Sequence, residues 1–186
     1  MNTKEVFLLQ FCDLTPYAIP GFTLRCLDAG DRQRMMDIRD AVMAVLPDPR
    51  WYFSMEEWEI DQWLSEHSVV GYLDGDVLAG FAAITPEYQR KDHSYARVLG
   101  DEPADTFDFH DVMVHPAYRG HRMHQQFLSI FTKSVKALGG KAVYATVDPE
   151  NSASWYNFEK EGYKCVVTQP AYDGRDRRYY KLTVTE

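Results

Sequence analysis

A short basic stretch interrupts this otherwise acidic chain. Residues 111–124 read Asp-Val-Met-Val-His-Pro-Ala-Tyr-Arg-Gly-His-Arg-Met-His, with an apolar strand predicted to end at Val114 and a long helix predicted from Gly120. The first turn of that helix would hold the side chains of Arg119, His121, Arg122 and His124. A helix N-terminus carries about half a positive charge and free N–H groups, so cations there favour a bound anion, most often phosphate. The stretch therefore predicts a phosphate-bearing ligand, with a solvated loop as the alternative.

Two segments resemble motifs A and B of the GNAT N-acetyltransferase superfamily. In Val112–His124 an apolar strand ends in Val-His-Pro-Ala-Tyr-Arg-Gly and a long helix follows. In Asn151–Tyr163 a leading Asn is followed by a small residue three positions later and by a closing Lys-Glu-Gly-Tyr. The order and spacing of the motifs fit the family from Phe22 to Leu182. The resemblance implies a GNAT fold and acyl transfer from acetyl-CoA to an amine.

The resemblance also implies which residues would bind acetyl-CoA. The backbone of Val112, Met113 and Val114 would pair with the pantetheine arm. One of these N–H groups would polarise the thioester carbonyl, a contact worth roughly 3 kcal/mol. Backbone N–H groups of the following turn would hold the pyrophosphate, and Asn151 would lie near the coenzyme. The remaining predicted coenzyme residues are Arg119, Gly120, His121, Arg122, Met123, His124 and Phe158.

Two positions depart from the family pattern. The phosphate turn of the family reads Arg/Gln-x-x-Gly-x-Gly/Ala, but Arg122 and His124 replace the later small residues. Glycine lets a backbone approach phosphate without a Cβ in the way. In motif B, Phe158 stands where many members have a Tyr that protonates the leaving thiolate. Ser154, one helical turn earlier on the same face, or a water could relay that proton instead.

These departures keep other functions open. The predicted function is an acetyl-CoA-dependent N-acetyltransferase that moves an acetyl group to a primary amine by direct attack in a ternary complex. The alternative is a GNAT-like acyl-CoA-binding or sensing module with little or no turnover. A further rival is a structural domain that has lost the coenzyme site.

The central predicted strand carries the candidates for the general base. Asp108, His110, Val112 and Val114 share one face of this strand because strand side chains alternate. Relatives with a side-chain base use the positions that match Asp108 or His110. Histidine titrates near neutrality, so His110 is the predicted base, with Asp108 orienting it or holding a cationic acceptor. The alternative is a structural His110 that is hydrogen-bonded to a neighbouring strand.

The segment between the first two predicted helices is the candidate acceptor site, since it often lines the acceptor pocket in this family. Its rings and carboxylates would suit an ammonium group, and the predicted substrate residues are Trp51, Tyr52 and Glu56. The alternative is an acidic helix start with core rings. A late hairpin around residues 172–178 could close the other side, but its Arg175, Arg177 and Arg178 are interpreted as a solvated edge.

Hydrophobic periodicity predicts the elements that must position these residues. Four helices are predicted at 31–46, 55–66, 120–138 and 152–161, with a Ser54–Glu57 capping box before the second. Seven strands are predicted at 22–27, 69–73, 77–85, 107–114, 142–147, 163–169 and 177–184, with an Asp74-Gly75 hairpin. A further short helix near Tyr95–Leu99 is possible. The order predicts an α+β fold: a mixed, mostly antiparallel central sheet of six or seven strands flanked by helices.

Composition bounds the class of protein. The chain has 186 residues, 45% of them hydrophobic, and a net charge of −8. This fits an N-terminal leader (1–20) followed by one domain (21–186). An acidic chain has no global attraction for nucleic acid or anionic lipid. The chain shows no signal peptide pattern and no run of ~20 apolar residues, so we expect a cytoplasmic protein that does not enter a membrane.

Cysteine and histidine spacing argue against a metal or disulfide framework. Cys12, Cys26 and Cys165 are far apart and form no C-x-x-C motif. Cys165 is expected in the core rather than as an acyl carrier. The histidines of residues 110–124 lack an H-E-x-x-H pattern, so no metal site is predicted. The expected partners are acetyl-CoA and a small-molecule or peptide amine, bound by a monomer or homodimer.

Overall fold

The computed structural model describes residues 13–53, 55–86, 94–171 and 173–184. Within these ranges the α-helices are Arg32–Met43 (α1), Glu57–Ser65 (α2), Tyr95–Val98 (α3), Met123–Ala137 (α4) and Ser152–Lys160 (α5). The strands are Thr23–Cys26 (β1), Val69–Asp74 (β2), Val77–Pro86 (β3), Thr106–Val114 (β4), Ala142–Val147 (β5), Lys164–Pro170 (β6) and Asp176–Thr183 (β7). The short helix considered near Tyr95–Leu99 is present as α3.

The strands form one sheet in the order β1-β2-β3-β4-β5-β7-β6. β1 pairs antiparallel with β2, and β2 with β3. β4 pairs parallel with β5, from Thr106 opposite Ala142 to Asp108 opposite Tyr144, with α4 as the crossover. β7 pairs antiparallel with β5 and with β6. The predicted mixed, mostly antiparallel sheet is confirmed.

The described residues form two compact units. One contains the described parts of residues 1–45, 55–83 and 111–130, and the other those of residues 46–54, 84–110 and 131–186. β3, β4 and α4 each contribute residues to both units. Residues 1–12 of the predicted leader lie outside the described residues, and so do Ser54 and Tyr172. The leader residues outside include Cys12.

Aromatic side chains fill the core of each unit. In the first unit, the rings of Tyr72 on β2 and Phe127 on α4 lie 5.2 Å apart. In the second, Phe109 on β4 contacts Phe131 on α4 at 5.3 Å and Phe158 on α5 at 5.4 Å. The predicted apolar stripe of α4 is buried at Met123, Phe127, Ile130, Phe131 and Val135. Leu138, also placed on that stripe, follows the helix and is 43% exposed.

Several element boundaries differ from the predicted ones, and three of the differences have a local structural explanation. α2 begins at Glu57, and the carboxylate of Glu59 accepts the N–H of Glu56 at 2.9 Å, so the box lies two residues later than expected. The β2–β3 loop is Gly75-Asp76, because Asp74 still pairs with Val77. α4 begins three residues later than predicted, for a backbone reason given below.

Two side chains lie in environments opposite to those expected. Cys165 is exposed rather than in the core, because β6 is the edge strand of the sheet. Arg177 on β7 is buried rather than solvated, with 2% exposure. The strand pattern alone gives side-chain alternation, but it does not say which strand lies at an edge.

Candidate active site

The turn after β4 is anchored within the first unit. The N–H of His115 donates to the carbonyl of Ala79 at 2.9 Å. The His115 Nδ1 accepts the N–H of Ala117 at 3.2 Å and caps the short 3-10 helix Pro116–Tyr118. The Tyr118 hydroxyl donates to the Asp74 carboxylate at 3.1 Å. Residues 115–118 of the turn are therefore fixed to the β2–β3 hairpin through His115 and Tyr118.

Residues 119–122 of this turn are exposed and contain two left-handed backbone positions. The φ angle is +89° at Gly120 and +60° at Arg122. This backbone explains why α4 begins at Met123 rather than near Gly120: neither residue has helical dihedral angles. For a residue with a Cβ the left-handed conformation costs roughly 1–2 kcal/mol. Arg122 thus occupies, under strain, the position where the family pattern has glycine.

The turn is suited to bind an anion. Turns of this kind gather backbone N–H groups into anion-binding concavities, and the N-terminus of α4 adds its dipole. The first turn of the described α4 contains no acidic side chain. Arg119, His121 and Arg122 are all exposed there. These features fit the phosphate groups that the sequence predicts.

His124 differs from the other basic residues of the stretch. It lies in the first turn of α4, and its Nε2 is buried although the residue is partly exposed. Burial lowers the pKa of His124 to about 4. Its imidazole is therefore neutral at pH 7 and adds no positive charge to the turn.

Close packing holds the end of β4 in place. Met113 is buried, while Val112 and Val114 are half-buried. Gly80 on β3 lies so close that a Cβ there would be 3.0 Å from the Met113 carbonyl and 3.3 Å from the Met123 Sδ. A larger residue at position 80 would push β3 away from the predicted pantetheine-binding backbone.

In the second unit, Asp108 and His110 lie on the same face of β4, opposite to the face of Phe109. Asp108 is fully buried, at 0% exposure. The Nε2 of His110 is hydrogen-bonded to the Thr85 hydroxyl on β3. A hydrogen bond to a neighbouring strand is what a purely structural His110 would make. The same bond also fixes the orientation of the ring. The role of His110 as general base remains a prediction.

The three predicted residues of motif B lie at or in α5. The Asn151 Oδ1 accepts the N–H of Ser154 at 3.2 Å and caps the helix. Ser154 is half-buried. Phe158 is buried in an aromatic cluster, with its ring stacked on Tyr180 at 5.8 Å and edge-on to Tyr163 at 5.2 Å. Phe158 is therefore part of the core of this unit.

The predicted acceptor residues are divided between the two units. Trp51 and Tyr52 are half-buried at the end of the short 3-10 helix Pro49–Trp51, in the second unit. The Asp48 carboxylate caps this helix by accepting the Arg50 N–H at 2.8 Å. Glu56 belongs to the first unit and is exposed at the start of α2.

The contacts of the buried Arg177 side chain are not predicted by the sequence. Its guanidinium donates to the carboxylates of Asp148 at 3.0 Å and Asp173 at 2.8 Å. It also donates to the backbone carbonyls of Trp51 at 3.3 Å and Arg50 at 3.1 Å. The opposite charges of Asp173 and Arg177 lie four residues apart in the sequence, which is a local hint of their ion pair. No feature of the sequence indicates the contact of Arg177 with residues 50 and 51.

The described residues contain no group of three or more His, Cys, Asp or Glu side chains that could hold a metal ion. His121 precedes α4 instead of lying on it, so the expected helical spacing of His121 and His124 does not form.

The helices in the described ranges include none that is long and apolar enough to cross a membrane.

Comparison with known families identifies the class of protein. The sequence matches the acetyltransferase (GNAT) family over residues 34–163, more than two thirds of the chain. This chain therefore belongs to the GNAT acetyltransferase family. A comparison with curated proteins finds no match.

Solved structures show the same fold. The structure of yncA from Salmonella typhimurium, solved with its cofactor acetyl-CoA, has a TM-score of 0.66 and 19% identity; the match covers 89% of this chain and 95% of yncA. An N-acetyltransferase from Staphylococcus aureus has a TM-score of 0.67 and 18% identity, with 88% and 99% covered. The ribosomal-protein-alanine N-acetyltransferase from Brucella melitensis has a TM-score of 0.64 and 18% identity, with 87% and 99% covered.

Proposed function

We propose that this protein is an acetyl-CoA-dependent N-acetyltransferase that acetylates a primary amine by direct attack in a ternary complex. The observation that carries the proposal is the exposed turn 119–122, with its two left-handed backbone positions before α4 in a GNAT family chain. The similarity to yncA, which was solved with acetyl-CoA, supports the choice of coenzyme. No cysteine is needed as an acyl carrier in this scheme.

Two backbone segments of this chain would hold the coenzyme. Backbone groups of Val112–Val114 would bind the pantetheine arm, and the turn 119–122 would bind the pyrophosphate. Bound acetyl-CoA supplies the activated thioester carbonyl that an amine attacks. A backbone N–H that hydrogen-bonds to this carbonyl oxygen would stabilise the developing negative charge by roughly 3 kcal/mol.

His110 is the candidate for removing the proton from the acceptor ammonium group. If its Nε2–H donates to the Thr85 hydroxyl, the lone pair of the ring lies on Nδ1, which can then accept a proton. The Thr85 contact would hold the ring in one orientation. Asp108, buried two residues earlier on the same face, would orient the base or attract a cationic acceptor.

Protonation of the leaving thiolate would proceed without a tyrosine in motif B. Phe158 has no hydroxyl and is buried. Ser154, one turn earlier in α5, or a water is the proposed proton donor. A free thiol has a pKa near 8.5, so thiolate is a tolerable leaving group. The loss of one general acid costs about 10²–10⁴-fold and does not abolish the reaction.

The proposed acceptor is a primary amine of a small molecule or a peptide. Trp51 and Tyr52 present rings on a short, capped segment, and rings attract ammonium groups. The proteins of similar fold include a ribosomal-protein-alanine N-acetyltransferase, so a peptide amine belongs in the test panel.

Calorimetric titration with acetyl-CoA, with desulfo-CoA and ATP in parallel, tests the coenzyme site. We expect micromolar binding, about −8 kcal/mol, that requires the pantetheine arm. Arg119→Ala should weaken this binding more at low salt than at high salt, because the contact is electrostatic. Arg39→Ala, which removes a charge from α1, is the matched control and should bind normally. Absence of acetyl-CoA binding would contradict the proposal.

A thiol-release assay with a panel of small-molecule and peptide amines tests the transfer step. Release of free CoA that depends on one class of amine supports the enzyme. Tight acetyl-CoA binding with no amine-dependent thiol release would instead favour an acyl-CoA-binding or sensing module. Arg122 and Phe158, which depart from the family pattern, are the residues that motivate this alternative.

A further inference from the structure

Arg177 makes contacts that strand pairing does not require. Its side chain points to the opposite face of β7 from Tyr180 and is almost fully buried. Burial of a guanidinium is unfavourable unless its charge and its N–H groups are satisfied. Asp148, directly after β5, and Asp173, in the β6–β7 connection, supply the opposite charge.

Two further N–H groups of the Arg177 guanidinium reach a distant segment of the chain, while its buried Nε has no hydrogen-bond partner among the described residues. Its two terminal nitrogens donate to the carbonyls of Arg50 and Trp51, which are 127 and 126 residues away in sequence. Arg175 donates to the same Arg50 carbonyl at 3.1 Å and to the Asp173 carboxylate. Two arginines of one hairpin thus donate hydrogen bonds to the backbone carbonyls at the C-terminal end of the 3-10 helix Pro49–Trp51.

The local conformation of residues 50–51 needs such support. The indole Nε1 of Trp51 is buried and has no hydrogen-bond partner among the described residues. Burying an unsatisfied donor is costly, so a short segment would not keep this conformation by itself. The hydrogen bonds to the Arg50 and Trp51 carbonyls offset that cost and hold the indole in place.

We propose that Arg177 is a positioning residue: through Asp148 and Asp173 it fixes the Arg50–Trp51 backbone and so sets the place of the Trp51 and Tyr52 rings for the amine acceptor. The acceptor part of this proposal rests on the proposed function. Arginine suits the task because its planar fork spans two carboxylates and two carbonyls at once, whereas a lysine ammonium is a single point charge.

Arg177→Lys is the main test, because it keeps the charge and removes the fork. Arg178→Lys is the matched control: its guanidinium lies on the other face of β7, over the Trp155 ring at 4.5 Å. Amide hydrogen exchange of residues 46–53 should become about tenfold faster in Arg177→Lys and stay unchanged in the control. The acceptor KM should rise about tenfold, while acetyl-CoA affinity stays within about twofold.

Asp173→Asn is the second variant, in case Arg177→Lys does not fold. It keeps the size and one acceptor oxygen, so the same changes should occur at a smaller magnitude. Unchanged exchange at residues 46–53 would overturn the proposal. Faster exchange with an unchanged acceptor KM would show that Arg177 holds the segment but that the segment does not serve the acceptor, which also overturns it.

The two proposals fail in different ways. Absence of acetyl transfer by the wild-type protein would contradict the proposed function and the acceptor part of this inference. The exchange measurement does not depend on turnover, and it decides by itself whether Arg177 holds residues 50–51.

Discussion

The φ angle of +60° at Arg122 can be separated experimentally from its charge. Arg122→Gly and Arg122→Ala both remove the cation, but only glycine adopts this φ freely. We expect the glycine variant to be more stable than the alanine variant by about 1 kcal/mol, measured by denaturant unfolding. Equal free energies of unfolding would argue against strain at this position.

Acetyl-CoA titration of the same two variants tests the charge. Arg122 lies in the exposed turn beside Arg119, so both variants should lose affinity to a similar extent at low salt if its cation contacts phosphate. If Arg122→Gly binds more tightly than the wild type, the bulk of the arginine obstructs the turn and its charge does not compensate.

The side chain of His110 has a partner that can be removed on its own. His110→Ala should lower kcat at neutral pH by about 10²–10⁴-fold and flatten the pH–rate profile. Thr85→Val keeps the shape of the partner but removes its hydroxyl, so we expect a smaller loss of kcat together with a displaced profile. A pH–rate profile that is the same in His110→Ala and wild type would exclude His110 as the base.

At the scale of elements, the connection between α4 and β5 depends on close packing at Gly140. A Cβ at this position would overlap the Val135 side chain and lie 2.7 Å from Phe107 Cε2 and 3.0 Å from the Val135 carbonyl. The connection could then not keep its present place against Val135 of α4 and Phe107 of β4. The neighbouring Gly139 has a φ of +72° but open space around its Cβ position.

Substitutions at these two glycines should therefore differ in cost. We expect Gly140→Ala to destabilise the protein by about 1–3 kcal/mol through overpacking. Gly139→Ala should cost about 1 kcal/mol from its left-handed backbone alone. Thermal unfolding of both variants provides the comparison, and a Gly140→Ala protein as stable as wild type would contradict the packing described here.

Across the whole molecule, each unit contains a buried carboxylate that is paired with arginine. Burial raises the pKa of Asp31, but hydrogen bonds from Arg25 and from the Asp28 N–H outweigh it, so its pKa lies below the ordinary value. Asp173 is similar: burial opposes ionisation, and hydrogen bonds from Arg177 and the Arg175 N–H keep its pKa low. Both carboxylates stabilise the fold above the unfolded-state pKa of about 3.9.

Acid should remove this stabilisation as the pH falls through the lowered pKa values. We expect Asp31→Asn to lower the free energy of unfolding by about 1–3 kcal/mol at pH 7, and the difference from wild type to shrink below about pH 4. Urea unfolding at pH 7, 4 and 3 measures this, with the exposed Asp37→Asn as control. A difference that is constant with pH would show that the charge of Asp31 is not the cause.

The sequence by itself determined the family, the mixed sheet and the strand that carries Asp108 and His110. These follow from side-chain periodicity and from two motifs that are each local in the chain. It did not determine the start of α4, because a left-handed φ at Arg122 leaves no trace in hydrophobic pattern. Nor did it show that His124 is neutral at pH 7, since burial of one ring nitrogen depends on neighbouring elements.

Only the tertiary structure decided the environments of Cys165 and Arg177. Side chains alternate along a strand in the same way at the edge and at the centre of a sheet, so alternation does not predict exposure. Cys165 is exposed on the edge strand β6, whereas Arg177 is buried on β7, which lies between β5 and β6. The contact of Arg177 with residues 50–51 joins parts of the chain more than 120 residues apart. Local patterns specify which elements form, whereas the burial and pairing of a charge depend on which distant elements fold against it.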